Sequence, residues 1–186
     1  MKTKKPLFWD NRNLIALLLI PLSTITILVN FFKSFLLKRN YTIKTICVGN
    51  VYVGGTGKTS LSIEINNILK KKFKTVFIKK KYVEQYDEVE LLKAHGDLLS
   101  DDNRNISLTK AEKKKKFHLA ILDDGLQDKT IKYDISIACF NTSYGIGNRL
   151  LIPAGPLREN LSVLKNYNAI FLNGEKNNKK LYSIIK

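Results

Sequence analysis

The chain has 186 residues, enough for one domain with a hydrophobic core and a short additional segment. Its composition, with 44% hydrophobic residues, 10 Gly and 4 Pro, excludes a disordered chain. Lys and Arg number 32 against 16 Asp and Glu, and the formal charge of +16 favours anionic partners such as nucleotides, phosphorylated lipids or an anionic membrane surface.

An uncharged segment at residues 13–32, NLIALLLIPLSTITILVNFF, is the first feature along the chain. Its length is that of a membrane span, about 20 residues, but Pro21 and several Ser, Thr and Asn residues weaken that interpretation. Trp9 and the flanking basic residues favour a helix in the membrane interface. A core helix of the soluble domain is a third interpretation. The run is long and no small-residue cleavage site follows, which disfavours a signal peptide. Residues 1–40 are therefore predicted to be a membrane-associated helix.

Apolar strands alternate with helices along the remaining chain. Strands are predicted at 42–50, 74–80, 117–124, 134–140 and 167–173, and helices at 58–72, near 87–99 and at 158–166. Several strands are continuously apolar, which is typical of a parallel sheet covered on both faces. Cys47 and Cys139 lie in such apolar runs without metal spacing, which indicates core packing in a reducing compartment rather than a disulfide or a zinc site.

A glycine-rich loop, VGGTGKTS at residues 53–60, lies between the first predicted strand and its helix. Its glycines allow successive N–H groups to turn inward, and the helix N-terminus completes an anion cradle. Lys58 can reach the β- and γ-phosphates of a nucleotide, and the Thr59 hydroxyl can bind Mg²⁺. Tyr52 departs from the strict P-loop pattern, which has glycine there. The context of strand, loop and helix nevertheless disfavours a glycine-rich turn without phosphate, and predicts an α/β fold of the P-loop NTPase type.

Two acids follow the predicted strand 117–124. Asp123 and Asp124 stand where an acid of a P-loop enzyme holds Mg²⁺ directly or through water. A solvated turn is the alternative. The phosphate loop favours the metal site, because ligands gather at the carboxyl ends of strands in such sheets.

Three blocks resemble the tetraacyldisaccharide 4′-kinase family of lipid A biosynthesis in order and spacing: VGNVYVGGTGKT (48–59), LDDGLQD (122–128) and GIGNRLLIPAGPLRE (145–159). The resemblance covers most of the chain, and LLLIPLS (17–23) is similar to the family's N-terminal segment. It implies a transferase at the cytoplasmic face of the bacterial inner membrane, with ATP and Mg²⁺ as cofactors. This kinase would move the γ-phosphate of ATP to the 4′-hydroxyl of a tetraacyldisaccharide 1-phosphate, forming lipid IVA. The implied partners are the lipid disaccharide and the membrane surface, and residues 41–186 would be the P-loop kinase domain.

The resemblance also implies roles for individual residues. The ATP phosphates would be held by Val53, Gly54, Gly55, Thr56, Gly57, Lys58, Thr59 and Ser60. Mg²⁺ would be bound by Thr59, Asp123 and Asp124, and the nucleotide or metal would also be contacted by Gln127, Arg158 and Glu159. The expected catalytic residues are Lys58 and Asp87, the latter as the base in YDEVELL (86–92). The alternative for Asp87 is a solvated helix start, where acids are favoured by the helix dipole.

The chain departs from the family pattern in four places. KKKYVEQ (79–85) stands where the family has Ser-Arg-Gly-Tyr-Gly, and Tyr86 and Val89 replace the glycine and proline around the Asp-Glu pair. Asp128 replaces a His. The family's C-terminal portion, which completes the sheet and supplies a catalytic His, has no counterpart in the sequence.

These departures leave two hypotheses of different classes. The first is a minimal lipid kinase, and the second is a truncated or degenerate nucleotide-binding relative at the membrane without lipid kinase activity. Of the two histidines, His118 is expected to be packed in a strand and His95 to lie at the surface. Nucleic-acid binding is not expected, because the lysine runs lack interleaved aromatic residues.

Overall fold

A computed structural model of the protein describes residues 5–82, 85–143, 145–174 and 179–185. Val83 and Glu84 of the KKKYVEQ segment and residues 1–4 of the predicted N-terminal segment lie outside these ranges. The strands are β1 (Lys44–Gly49), β2 (Thr75–Lys80), β3 (Leu98–Asp101), β4 (Leu119–Asp123), β5 (Ile135–Asn141) and β6 (Ala169–Asn173). The helices are α1 (Leu14–Leu18), α2 (Ile20–Ser34), α3 (Lys58–Leu69), α4 (Tyr86–Lys93), α5 (Arg104–Lys113) and α6 (Lys179–Ile185).

The strands form one sheet in the order β3-β2-β4-β1-β5-β6, and every neighbouring pair is parallel. Strand β1 lies between β4 and β5, and Val48 is in register with Asp123 of β4. All carboxyl ends therefore point to the same edge of the sheet. The loop after β1 and the loop after β4 leave that edge side by side.

The core lies on both faces of the sheet, because side chains alternate along each strand. On one face, Ile46, Val48 and Cys139 are buried beneath apolar residues of α3. On the other face, Cys47 packs in a cluster that includes Leu108 of α5 and residues of β2 and β4. The predicted parallel α/β sheet with helices on both faces is confirmed, and both cysteines are free and buried, as expected.

The predicted secondary structure is wrong in three places. The helix predicted near 87–99 ends at Lys93, and Leu98–Asp101 instead forms edge strand β3, paired to β2. A helix that was not predicted, α5, covers Arg104–Lys113, where Asn103 caps its N-terminus by accepting a hydrogen bond from the Asn105 amide. The segment predicted as a helix at 158–166 is a 3₁₀ helix over Leu161–Asn166. Each error falls in a polar or short segment whose structure depends on contacts distant in sequence.

The N-terminal segment forms two consecutive helices, α1 and α2, with Leu19 between them and Pro21 in the first turn of α2. Among the described residues, no helix is both long enough and apolar enough to cross a membrane. Only Ala16 and Ser23 of these helices are buried, while most of their large apolar side chains are exposed. The interpretation as a core helix is therefore wrong.

Candidate functional site

The phosphate loop lies at the carboxyl edge of the sheet, between β1 and α3. Its backbone turns into α3 at Gly57, whose φ of 81° is left-handed. A Cβ atom added at Gly57 would lie 2.6 Å from Nδ2 of Asn173, at the end of β6. The left-handed dihedral angle favours glycine at this position, and a Cβ would also displace the exposed Asn173 side chain.

Tyr52 fits the fold, although it replaces the glycine of the strict P-loop pattern. Its ring is buried and lies 5.7 Å from the ring of Phe140, and its hydroxyl oxygen accepts a hydrogen bond of 2.9 Å from the Asn141 amide. The next residue, Val53, donates its amide to the Pro156 carbonyl at 2.8 Å. Tyr52 therefore anchors the start of the loop to β5.

Two buried polar atoms of the loop region have no hydrogen-bond partner among the described residues. They are Oγ1 of Thr56 and Oδ1 of Asn50, the residue that follows β1. Buried polar atoms are nearly always paired in folded proteins, since an unpaired one costs about 1–3 kcal/mol. Their occurrence together at a glycine-rich loop is typical of a site that receives a polar ligand.

Lys58 and Arg158 both contact the carboxylate of Asp124. The Lys58 ammonium is 3.8 Å from Oδ1, and Nη1 of Arg158 is 3.1 Å from the same oxygen. Burial alone would raise the pKa of Asp124, but the positive charges of Lys58, Arg158 and Arg104 outweigh it and lower the pKa. Asp124 is therefore an anion that holds two basic side chains beside the phosphate loop.

Asp123 is fully buried and accepts hydrogen bonds from three side chains. Oδ2 accepts from Oγ1 of Thr59 at 3.2 Å and from the ammonium of Lys79 at 2.6 Å, and Oδ1 accepts from Oγ of Ser62 at 3.3 Å. The hydroxyl and carboxylate oxygens of Thr59, Asp123 and Asp124 are the hard donors that Mg²⁺ prefers. No group of three or more His, Cys, Asp or Glu that could hold a metal occurs in the described part of the chain. A bound Mg²⁺ would therefore need phosphate or water oxygens as well.

The third block, GIGNRLLIPAGPLRE, returns the chain to the start of the phosphate loop. Arg158 donates its amide to the Val51 carbonyl at 2.8 Å, and its Nη1 donates to Oε1 of Gln127 at 3.2 Å. Gln127 also donates to the Asn50 carbonyl at 2.7 Å. Glu159 is buried and accepts from Lys129 at 2.6 Å, so its predicted contact with the nucleotide or metal stays a prediction.

Helix α2 holds the third block in place through side-chain hydrogen bonds. Three side chains spaced along α2 donate to carbonyl oxygens of that block: Ser23 to Leu151 at 2.9 Å, Thr26 to Ile152 at 2.6 Å and Asn30 to Arg158 at 2.8 Å. These positions lie on one face of the helix, while its apolar side chains are exposed to solvent elsewhere. Three of the polar residues that weakened the interpretation as a membrane span, Ser23, Thr26 and Asn30, therefore dock α2.

A cleft of about 780 Å³ opens between α2 and the carboxyl edge of the sheet. Its lining from α2 includes Ile25 and Val29, Leu36 follows just after that helix, and its lining near the acids includes Asp124, Gln127 and Arg158. The α2 side also carries Thr26, Asn30 and Lys33, so that wall combines apolar and polar side chains, whereas the wall near the acids is polar. Because Asp124 also contacts Lys58, the cleft meets the phosphate loop at this carboxylate.

Asp87 is an exposed residue in the first turn of α4. The structure does not bring it into direct contact with the residues around Asp124; its neighbour Glu88 instead accepts a hydrogen bond of 2.5 Å from Lys79. Gln85, two residues earlier, lines the cleft. The predicted role of Asp87 as the base stays a prediction.

Both histidines lie apart from these residues. His118 is exposed and precedes β4, and its Nδ1 accepts a hydrogen bond from the Lys74 amide at 3.1 Å, so the prediction that it is packed in a strand is wrong. His95 is half-buried, and its Nδ1 lies 2.8 Å from the Leu91 carbonyl at the end of α4.

Sequence reasoning missed two basic residues of the site. Arg104, at the start of α5, donates to the carbonyl of Asp124 at 2.6 Å, and Lys79, at the end of β2, binds Asp123. Arg104 gave no local signal, because its helix was not predicted. Lys79 gave a weak one, because it stands directly after an apolar run, but the pairing of its strand with that of Asp123 is seen only in the structure.

The chain is similar to proteins of one family over nearly its whole length. The model of the family described as tetraacyldisaccharide-1-P 4′-kinase matches residues 15–185. A tetraacyldisaccharide 4′-kinase of Pelagibacter ubique is 51% identical over 177 residues, which cover 94% of this chain and 56% of the relative. A protein of the same name from Rickettsia bellii is 35% identical over 176 residues, covering 86% of this chain and 55% of that relative.

A solved structure is similar in fold. LpxK from Aquifex aeolicus, in complex with ATP, superposes with a TM-score of 0.73 and 25% identity, covering 86% of this chain and 59% of that one. The present chain therefore spans little more than half the length of the relatives that it matches.

Proposed function

The chain belongs to the tetraacyldisaccharide 4′-kinase family, and we propose that it transfers the γ-phosphate of ATP to the 4′-hydroxyl of a tetraacyldisaccharide 1-phosphate, forming lipid IVA in lipid A biosynthesis. The observation that supports this proposal most directly is a shared carboxylate. Asp124 contacts Lys58 of the phosphate loop and lines the cleft whose other wall includes the apolar side chains of Ile25 and Val29. A phosphate donor and a lipid acceptor would therefore meet at one point.

The phosphate loop would bind the triphosphate of ATP. Its inward N–H groups and the N-terminus of α3 favour anions, and the unpaired hydroxyl of Thr56 offers a further donor. Lys58 would exchange its contact with Asp124 for the β- and γ-phosphates, and Arg158 would balance negative charge from the cleft side. Thr59, Asp123 and Asp124 would hold Mg²⁺, which would neutralise the charge that develops on the transferred group.

The cleft would take the acceptor lipid. Acyl chains would lie against the apolar residues of α2, and the sugar would face Gln127 and Arg158. Asp124 and Gln127 at the polar wall can bind hydroxyl groups, because carboxylate and amide oxygens accept hydrogen bonds. This arrangement would place the 4′-hydroxyl close to the phosphate loop while the chains extend toward the exposed face of α2.

Asp87 would act as the base. Its carboxylate takes the proton of the 4′-hydroxyl as the oxygen forms a bond to the γ-phosphorus, and the bond from that phosphorus to the β–γ bridging oxygen breaks, so that ADP leaves. Asp87 is exposed at the start of α4, close in sequence to the cleft residue Gln85. A base that is solvated in the free protein can become enclosed when substrate fills the cleft.

The same proposal includes a location at the cytoplasmic face of the bacterial inner membrane. Exposed apolar side chains of residues 18–35 include Leu18, Leu22, Phe31 and Phe35, and basic residues such as Lys33 and Lys38 lie at the end of this segment. An amphipathic helix of this kind binds anionic membrane interfaces. Cosedimentation with phosphatidylglycerol vesicles tests the point: binding should be lost in Phe31→Ser/Phe35→Ser, and retention of full binding would contradict it.

A transfer assay tests the kinase proposal. The full chain in detergent is given Mg²⁺, γ-labelled ATP and tetraacyldisaccharide 1-phosphate, and labelled lipid is measured. Lys58→Ala should abolish transfer, whereas Lys70→Ala, at the exposed far end of α3, should leave it unchanged. Asp87→Asn should lower kcat with unchanged ATP affinity, beside Glu90→Gln on the same helix as control. ATP binding without any lipid labelling would overturn the proposal in favour of a nucleotide-binding relative without lipid kinase activity.

A further inference from the structure

Lys79 of β2 is a buried cation between two carboxylates. Only 1% of its surface is exposed, and its ammonium lies 2.6 Å from Oδ2 of Asp123 and 2.5 Å from Oε2 of Glu88. A buried ammonium is costly unless it is paired and hydrogen-bonded. Burial would lower the pKa of Lys79, but Asp123 and Glu88 outweigh burial and raise it, so the side chain is charged.

Lys79 completes a chain of contacts from the phosphate loop to α4. Thr59, at the start of α3, donates to the same carboxylate oxygen of Asp123 that Lys79 contacts. Lys79 then donates to Glu88 in the first turn of α4. The chain runs Thr59–Asp123–Lys79–Glu88 and joins α3, β4, β2 and α4 through side chains alone.

Among the described residues, few other side-chain hydrogen bonds hold the first turn of α4. Tyr86 and Asp87 are exposed, and the fully buried side chain of the helix is Leu92, near its opposite end. Glu88 is 46% exposed, so its ion pair with Lys79 ties the rim of the site to the buried interior. The position of the N-terminal turn of α4 therefore depends on this ion pair.

We propose that Lys79 is a positioning residue for phosphate transfer: it ties the first turn of α4 to Asp123 and thereby holds Asp87 at a fixed place relative to the phosphate loop. The inference rests on the proposed kinase activity. Lys79 stands in the KKKYVEQ segment, where the chain departs from the family's pattern, so this link belongs to the chain's own residues. Thr59 donates its proton to Asp123 and keeps oxygen lone pairs for a metal, so the contact chain is compatible with bound Mg²⁺.

Steady-state kinetics test this role with a matched control. Lys79→Met removes the charge and keeps an unbranched side chain, and Lys93→Met makes the same change at an exposed ion pair with Glu90 on α4. Lys79→Met should lower kcat about 10²-fold, because a displacement of about 1 Å in a reacting group costs that much. KM for ATP should differ from the wild-type value by less than about threefold. Lys93→Met should match the wild type, and wild-type kcat in Lys79→Met would overturn the proposal.

Glu88→Gln provides a second variant if Lys79→Met folds poorly. It leaves the contact between Lys79 and Asp123 intact and changes a half-exposed residue, so folding should be retained. It should lower kcat in the same direction. Where both variants fold, the double variant should be no slower than Lys79→Met, because both changes break one link. Additive losses, or wild-type kcat in Glu88→Gln, would contradict the link to α4.

Hydrogen exchange separates this inference from the kinase proposal, because it needs no catalysis. Mg-ATP should slow exchange of the α3 amides in the wild type and in both Lys79→Met and Glu88→Gln, and should slow exchange of the α4 amides in the wild type only. If the wild type transfers no phosphate but shows this pattern, the kinase proposal fails and the link stands. If α4 is protected equally in the wild type and the variants, or in none of them, the link fails.

Discussion

The hydrogen bond from Thr26 to the Ile152 carbonyl should stabilise the protein measurably. Oγ1 of Thr26 lies 2.6 Å from that oxygen, in a half-buried contact between α2 and the third sequence block. Thr26→Val removes the hydroxyl and keeps a β-branched side chain of nearly the same shape and helix propensity. The change therefore isolates one hydrogen bond between the N-terminal helix and the loop that carries Arg158.

The expected loss of unfolding free energy is about 1 kcal/mol, the net value of a typical intramolecular hydrogen bond. It rises toward about 3 kcal/mol if the Ile152 carbonyl is left without a partner. For a chain of this size, each kcal/mol lowers Tm by about 2–4 °C. Thermal unfolding followed by circular dichroism in one fixed detergent measures this shift.

Thr24→Val is the matched control. Thr24 is exposed on the same helix, and its hydroxyl donates to the Pro21 carbonyl within α2 rather than to the loop. Its Tm should change by much less than that of Thr26→Val. Amide exchange at residues 150–158 should increase in Thr26→Val alone. If the two variants have equal Tm and equal exchange, α2 does not hold the third block in the way that the hydrogen bonds indicate.

Three further predictions concern the phosphate loop, Asp124 and the two cysteines. Gly57→Ala should weaken ATP binding in a titration. A residue with a Cβ pays about 1–2 kcal/mol for the left-handed φ of this position, and the added atom would contact Asn173. Unchanged affinity would contradict the loop geometry. The pKa of Asp124 lies below its ordinary 3.8, so its ion pairs stabilise the protein at neutral pH, and this contribution is lost as the pH falls through the lowered pKa. The difference in Tm between wild type and Asp124→Asn should therefore be largest near pH 7 and shrink below pH 3.8, and a constant difference would refute the assignment. Burial raises the pKa of Cys139 to about 12 and that of Cys47 as well, so a thiol reagent at pH 8 should modify neither until the protein unfolds.

The phosphate loop and the two acids could be predicted from the sequence because each is a local pattern. Three glycines followed by Lys58 and Thr59 indicate a backbone cradle for phosphate, and this pattern does not depend on the rest of the chain. An acid pair at the end of an apolar strand is equally local, and Asp123 and Asp124 do lie beside the loop. Parallel strands with covered faces were predicted for the same reason, because continuously apolar runs need burial on both sides.

The errors occur where local patterns are weak. Leu98–Asp101 has four residues, and only its pairing with β2 makes it a strand. Helix α5 is polar along most of its length and is held by two buried apolar residues, Leu108 and Ala111. Neither segment has enough periodicity to identify it, so contacts distant in sequence decide its structure.

The sequence by itself determined the family, the parallel α/β fold and the meeting of Lys58, Thr59, Asp123 and Asp124 at the carboxyl edge of the sheet. Motif spacing and the hydrophobicity of the strands can be recognised without knowing which residues are in contact. Only the tertiary structure decided that Lys79 binds Asp123 and that Thr26 and Asn30 dock α2 on the third block. From the sequence, a lysine next to an apolar run is taken to be solvated. Hydroxyl groups in an apolar helix are taken to interrupt its apolar surface. Which partner such a polar group finds depends on strand order and helix orientation, and those are set by the packing of the whole chain rather than by its neighbours in sequence.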